Sequence, residues 1–178
     1  VAGGGRASAR ETAGRVAAGA IAQQLLARAG IAIVAWVDEV SGIAATVDDA
    51  TVSRDAVDAN EIRCPDAAVA ATMIDRVERA RKDGDSVGGV VEVVAWNVPP
   101  GLGSHVEWTE RLDGRIALAL MSIQAMKGVE IGAGFGAAAA RGSAMFDPIL
   151  HDGQRFVRPS NNMGGVEGGI TNGGPVVA

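Results

Sequence analysis

The hydrophobic pattern opens with a helical period. Val16, Ala20, Leu25 and Ala29 recur near one face of a segment from about Ser8 to Ala29, with Ile21 beside them. That spacing predicts an amphipathic helix with the stripe turned inward. Ser8 and Glu11 stand as a Ser-x-x-Glu capping box, in which the hydroxyl takes the third helical amide and the carboxylate reaches back. Gly30 ends the segment, and Ile31 to Val37 follows as a β-branched apolar run with the composition of a strand. Residues 38–63 lose the period, with Asp48-Asp49 and Asn60 as turn signals. After Cys64-Pro65 the helical spacing returns, with Asp66 as N-cap, Val69, Met73, Val77 and Ala80 as the buried stripe, and Gly84 as the stop. A second strand is predicted from about Val90 to Val98, ended by Pro99-Pro100-Gly101 because proline cannot donate to a ladder. A third helix runs from Asp113 to about Gln124 with Ile116, Leu120 and Ile123 inward, then a short strand at Val129–Ile131 and an Ala-rich helix at Phe135–Arg141. From Gly142 the chain reads as loop and turn, with Gly164-Gly165 and Gly168-Gly169. Helices interleave with strands, and no internal repeat is present.

Composition narrows the function classes. The 178 residues suffice for a single domain with a substantial core, and 48% hydrophobic with 21% charged residues is ordinary for a globular protein. A formal net charge of -5, with basic residues scattered among acidic ones, argues against a nucleic-acid binder, which needs clustered positive surface. Arg76, Arg79, Arg81 and Lys82 share their helix with Asp75, Glu78 and Asp83, the pattern of a solvated face. A lone Cys64 precludes an internal disulfide, fits a cytoplasmic setting, and reads as a small buried thiol rather than a nucleophile. No apolar run is long enough to span a membrane, and Val1-Ala2-Gly3-Gly4-Gly5-Arg6 lacks a signal-peptide layout.

Three glycine-bearing stretches can carry binding chemistry. In residues 3–12, a glycine loop runs into a capped helix, and Arg6 and Arg10 add charge. That arrangement suits an anionic ligand, or else it is a plain capped helix with surface arginines. Residues 121–132 join a helix end, a turn and a strand, a junction that either exposes backbone to a ligand edge or simply connects two elements. Residues 161–173 place four glycines within six residues, 164–169, near Asn161, Asn162 and Asn172. There the backbone can approach a ligand closely and the amides can read a ring edge, or the stretch is a flexible surface loop.

Two further features point elsewhere. Val129 to Ala137 reads as strand, Gly-x-Gly-x-x-Ala, then helix, and Asp152 follows about 20 residues on, as a dinucleotide fingerprint asks. Against that fingerprint, the strand is short and carries Glu130, the helix stops before Gly142, and Pro148 interrupts the next strand. His105 and His151 lie in loops without ligand-spaced partners, so no metal site and no Ser/His/Asp arrangement is supported.

Taken together, the segments resemble chorismate synthase. The matching pieces are residues 4–12, Arg63-Cys64-Pro65-Asp66, residues 82–92, Pro99 through Ser104, Met121 through Gly132, Arg141-Gly142-Ser143 and Asn161 through Gly173. They occur in the family's order and span nearly the whole chain. The resemblance implies an α+β fold with helices packed between antiparallel sheets, of which residues 1–178 would be a single-domain central fragment. It also implies a cytoplasmic homotetramer in full-length form. The activity implied is that of a lyase of aromatic amino acid biosynthesis. It uses reduced FMN, with NADPH as a possible reductant, to convert 5-enolpyruvylshikimate 3-phosphate to chorismate by 1,4-elimination of phosphate. By position, Arg6, Ala7, Ser8, Gln124, Ala125 and Gly168 match flavin-binding residues, and Arg10 matches a substrate-binding residue. The family's two histidine acids and its C-terminal flavin segment have no counterpart here, and Ala133 stands where the family commonly has an acidic residue. The segment alone is therefore expected to lack catalytic residues. The ends read as cut, at Gly3-Gly4-Gly5 and inside an apparent strand at Val176-Val177. Two alternatives remain at this point: a non-catalytic flavin- or anion-binding module, and a Rossmann-type oxidoreductase.

Overall fold

A computed structural model describes residues 4–178; Val1-Ala2-Gly3, which begin the first glycine loop, lie outside the described residues. The fold is α+β, with five helices and antiparallel strand pairs among the described residues. They divide into two compact units, Ile33–Val94 and the remainder.

In the unit of Ile33–Val94, strand β1 (Ala32–Val40) is longer than the apolar run implied. It returns through Ser41 and Gly42, both at positive φ (52° and 81°), into β2 (Ile43–Ala44). Val40 pairs with Ile43 and Glu39 with Ala44, so the loop has two residues, the geometry that favours positive φ at both positions. The stretch without period also holds a short helix α2 (Arg54–Asp58), capped by the Ser53 hydroxyl on the Ala56 amide at 3.2 Å. Helix α3 (Ala67–Lys82) begins as the sequence predicts: the Asp66 carboxylate accepts the Ala68 and Val69 amides, each at 3.1 Å. Strand β3 (Gly89–Trp96) lies beside β1, in the order β2-β1-β3. The core gathers Val40, Cys64, Ala70 and Met73, with Val37, Ile43, Ile62 and Val69 against them. Met73 and Cys64 are fully buried, whereas Val77 of the predicted stripe is exposed. Exposed positions of α3 carry ion pairs, Arg79–Asp75 at 2.7 Å and Arg81–Glu78 at 3.5 Å.

In the other unit, helix α1 spans Thr12–Arg28, entered through 3-10 turns at Gly5–Ala7 and Ala9–Glu11. Its predicted inward stripe is not buried within this chain: Val16 is 70% exposed, Ile21 71% and Leu25 69%. The reason lies in the sequence. Val16, Ala17, Ala18, Ala20, Ile21, Ala22, Leu25 and Leu26 surround the helix rather than lining one face, so the helix has no single apolar side to bury. Helix α4 (Leu112–Met121) stops short of Gln124, with Ile116, Leu120 and Ile123 half-buried. Val129–Ile131 forms no strand, and the Ala-rich segment is a 3-10 helix, Gly134–Ala139, followed by a single turn α5 (Gly142–Met145). Isolated bonds such as Gly132 N–H to Val177 O at 3.1 Å tether that region among the described residues, and isolated bonds build no ladder. Beyond it come hairpin β4–β5 (Leu150–His151, Phe156–Val157), hairpin β6–β7 (Val166–Glu167, Ile170–Thr171) and β8 (Val176–Val177). Buried Thr171 anchors the Pro-Pro-Gly turn: its hydroxyl donates to Pro99 O at 2.6 Å and accepts the Leu102 amide at 2.9 Å. It thereby meets polar groups that a proline-ended strand leaves unpaired.

Candidate functional site

The N-terminal turn is shaped by Gly4 and Gly5, at φ 65° and 54°. The Ser8 hydroxyl donates to Gly5 O at 2.7 Å and accepts the Arg10 amide at 3.4 Å. The capping box does not close. Ser8 takes the amide of Arg10 rather than of Glu11, and the Glu11 carboxylate turns elsewhere. Arg6 and Arg10 are exposed, and among the described residues neither guanidinium is in an ion pair.

The second stretch packs against the first. Past α4, the Ser122 hydroxyl donates to Ala119 O at 2.6 Å, and Ala125 sits at φ 68°. A left-handed non-glycine residue costs about 1 kcal/mol or more and persists only where its surroundings enforce it. Three residues before Ala125, the same turn is gripped by Arg15 of α1, with Nη1 on Ser122 Oγ at 2.8 Å and Nη2 on Ser122 O at 3.1 Å. Arg15 Nε also pairs with Glu11 Oε1 at 3.1 Å, and the Gln124 carboxamide donates to Glu11 Oε2. The bond from Gln124 outweighs desolvation, and with Arg15 and Arg6 it holds the Glu11 carboxyl below the usual carboxylate range. The other carboxamide atom, Gln124 Oε1, is buried without a hydrogen-bond partner.

The third stretch is a packed knot rather than a flexible loop. Gly132 and Gly164 touch backbone to backbone: a Cβ on Gly132 would lie 2.3 Å from Asn162 O and 2.4 Å from Gly164 N. Asp147, 1% exposed, organises the approach to this contact. It accepts the Ser160 hydroxyl at 2.7 Å and the Asn162 and Met163 amides, each at 2.8 Å. Burial alone would raise its carboxyl pKa, but these donors and the nearby Arg158 guanidinium outweigh burial and hold it below the ordinary value. Arg158 in turn binds Asp147 O at 2.7 Å and Glu167 at 2.7 Å. Gly168 lies exposed in the β6–β7 turn at φ 61°, with open space where a Cβ would stand.

The structure therefore brings Arg6, Ala7, Ser8 and Arg10 together with Gln124 and Ala125 through Glu11 and Arg15. Gly168 is joined to neither turn by a hydrogen bond or ion pair among the described residues. Sequence reasoning gave no role to Arg15, Asp147 or Arg158, nor to Ser122 and Glu167 within the stretches it named; apart from the i,i+4 pair of Arg15 with Glu11, their partners lie too far along the chain to leave a local spacing. A cleft of about 780 Å³, lined by Pro100, Phe156 and Arg158 among others, takes in Asn161 and Asn172 of the third stretch but none of Arg6, Ala7, Ser8, Arg10, Gln124, Ala125 and Gly168. The dinucleotide fingerprint fails, because its strand is absent and a 3-10 helix replaces its helix. His105 and His151 are exposed; His151 Nδ1 accepts the Gly153 amide at 3.1 Å. Among the described residues no cluster of three His, Cys, Asp or Glu could hold a metal, and no helix is long and apolar enough to cross a membrane. In the other unit, burial followed by the charges of Asp49 and Asp38 pushes the Glu92 carboxyl up to about 7.

Comparison with known proteins bears on what these turns serve. The family model described as chorismate synthase matches residues 1–178. A chorismate synthase of Desulforudis audaxviator (strain MP104C) is 51% identical over 175 residues, covering 97% of this chain and 45% of that protein. One of Synechococcus sp. (strain WH7803) is 54% identical over 177 residues, covering 98% of this chain and 48% of that protein. A crystal structure of chorismate synthase superposes with a TM-score of 0.84 at 44% identity, covering 97% of this chain and 55% of the other. The chain spans about half the length of the curated relatives it matches.

Proposed function

We propose that this chain, which belongs to the chorismate synthase family, forms the central part of an FMN-dependent lyase and contributes one side of its pocket. The enzyme's substrate is 5-enolpyruvylshikimate 3-phosphate, and its product is chorismate, formed with loss of phosphate. The observation that carries this reading is the joining of two turns distant in sequence, 4–11 and 121–126, through Arg15, Glu11, Ser122 and Gln124.

The residues present fit a phosphorylated flavin. Arg6 and Arg10 are cations without ion-pair partners among the described residues, at the entrance of a helix whose dipole favours anions. Gln124 Oε1 is a buried acceptor lacking a donor, a state that costs about 1–3 kcal/mol and that a ring N–H arriving between the turns would relieve. In this reading Arg6, Ala7 and Ser8 hold the flavin phosphate, and Gln124 and Ala125 meet its ring. Gly168 admits close approach because it has no side chain, and Arg10 faces the anionic substrate. Reduced FMN held by these residues would lend electron density to the substrate and take it back, which would leave the elimination without net redox change. Arginines and backbone amides orient two anionic ligands and favour the departing phosphate. We place the complete enzyme in the cytoplasm as a homotetramer, with NADPH as a possible source of flavin electrons.

Neither His105 nor His151 matches the family's histidine acids, so these 178 residues supply binding without the proton donors. Chorismate formation with reduced FMN tests the reading. Turnover is expected from a longer form carrying those histidines and none from this segment alone. Activity from the segment alone would overturn the division of labour, and an inactive longer form would overturn the assignment.

A further inference from the structure

We propose that Arg15 and Gln124 are positioning residues that keep the Glu11 carboxylate turned away from Arg6 and Arg10, leaving both guanidinia to an anionic ligand. The inference rests on the reading of the 4–11 turn as an anion site. It starts from a conflict in the sequence: Glu11 directly follows Arg10 and lies one helical turn from Ser8. A free carboxylate there would pair with the arginines and repel a phosphate.

The structure resolves the conflict by occupying both carboxylate oxygens with other donors. Arg15 Nε takes Oε1 at 3.1 Å, and the Gln124 carboxamide donates to Oε2. Arg15 is itself immobilised by its fork on Ser122, at 2.8 and 3.1 Å, so the clasp is held by a second element and not by a flexible side chain alone. Arg6 is near enough to attract the Glu11 charge, yet no ion pair forms between them among the described residues. Glu11 accepts but cannot donate, so it also fixes the Gln124 carboxamide with its NH2 toward the carboxylate. The buried, partnerless Oε1 follows from that choice.

The test compares wild type, Arg15→Ala, Glu11→Gln and the double variant, with FMN and inorganic pyrophosphate as separate probes and a thermal melt on each protein. Arg15→Gln replaces Arg15→Ala should the latter unfold. Freeing Glu11 is expected to weaken both probes roughly threefold to tenfold, the range for one or two exposed ion pairs. With pyrophosphate, which does not reach the Gln124 carboxamide that Glu11 orients, Glu11→Gln should stay within about twofold of wild type, and the double variant should recover to the same level, since the offending charge is gone. A purely structural Arg15 would leave the double variant as weak as Arg15→Ala or weaker, and that result overturns the proposal. So does a wild type that binds neither probe. If pyrophosphate follows the rescue pattern while FMN does not bind, the clasp stands and the flavin reading falls.

Discussion

Replacing Asp147 by alanine should unfasten the third glycine stretch. The carboxylate is 1% exposed and is the acceptor for one hydroxyl and two amides, at 2.7, 2.8 and 2.8 Å. Its removal strands two backbone N–H groups and the Ser160 hydroxyl in the interior, and each orphan costs about 1–3 kcal/mol before relaxation. Allowing for water entering the vacated space, the expected loss is ~3 kcal/mol in urea-induced unfolding, with m unchanged. The pH dependence has a definite sign. The folded pKa lies below the model-peptide value of 3.8, so the carboxylate's contribution is complete above 3.8 and disappears as pH falls through the lower folded value. Wild type should therefore lose stability more steeply than Asp147→Ala on acidification. Hydrogen exchange should localise the effect, with faster exchange of the Asn162 and Met163 amides while those of α3 stay protected. A loss below ~1 kcal/mol, or identical acid limbs for the two proteins, would refute the assignment of Asp147 as the hub.

Other substitutions probe separate parts of the account. Gly132→Ala forces a Cβ to 2.3 Å from a backbone oxygen, and should destabilise by more than ~3 kcal/mol in the same unfolding assay. Gly168→Ala meets only the positive-φ penalty of about 1 kcal/mol, because nothing lies within 4 Å of its Cβ, yet it should weaken FMN binding measured by flavin fluorescence. Glu92→Gln addresses a raised pKa: burial and the charges of Asp49 and Asp38 carry the carboxyl from 4.5 to about 7. The folded state then holds a proton that the unfolded state releases between those values, so wild-type stability falls across that window and levels off above it. Undiscounted the difference is ~3 kcal/mol, and solvent screening of a partly exposed group reduces it to ~1 kcal/mol. Denaturation midpoints should show the variant more stable than wild type above pH ~7 and equal to it below pH ~4.5.

Local signals were legible where local chemistry decides. Asp66 caps α3, Gly84 follows its end, and Met73 and Cys64 occupy the core, all from short-range spacing. Elsewhere tertiary contacts override the local pattern. The Ser8–Glu11 box has the right spacing, but Glu11 finds a better donor pair in Arg15 and Gln124, more than a hundred residues apart for the latter. Val129–Ile131 has strand composition but no partner to pair with. The glycines of 161–173 were recognised as permitting close approach; what could not be read was that Gly132 is the backbone they approach, because a contact between two glycines leaves no side-chain trace. Asp147 is invisible for a similar reason, since two of its three donors are backbone amides, which every residue but proline carries.

The central claim is that Ser8, Ala125 and Gly168 contribute to one flavin pocket. Backbone amide shifts of the isotopically labelled protein, titrated in parallel with FMN and with riboflavin, test it most directly. Saturable shifts are predicted at Ala125 and Gly168 with both ligands, and at Arg6–Ser8 only with FMN, whose phosphate that turn would hold. Shifts confined to one of the three stretches, or equal at Arg6–Ser8 with and without the phosphate, would contradict the account.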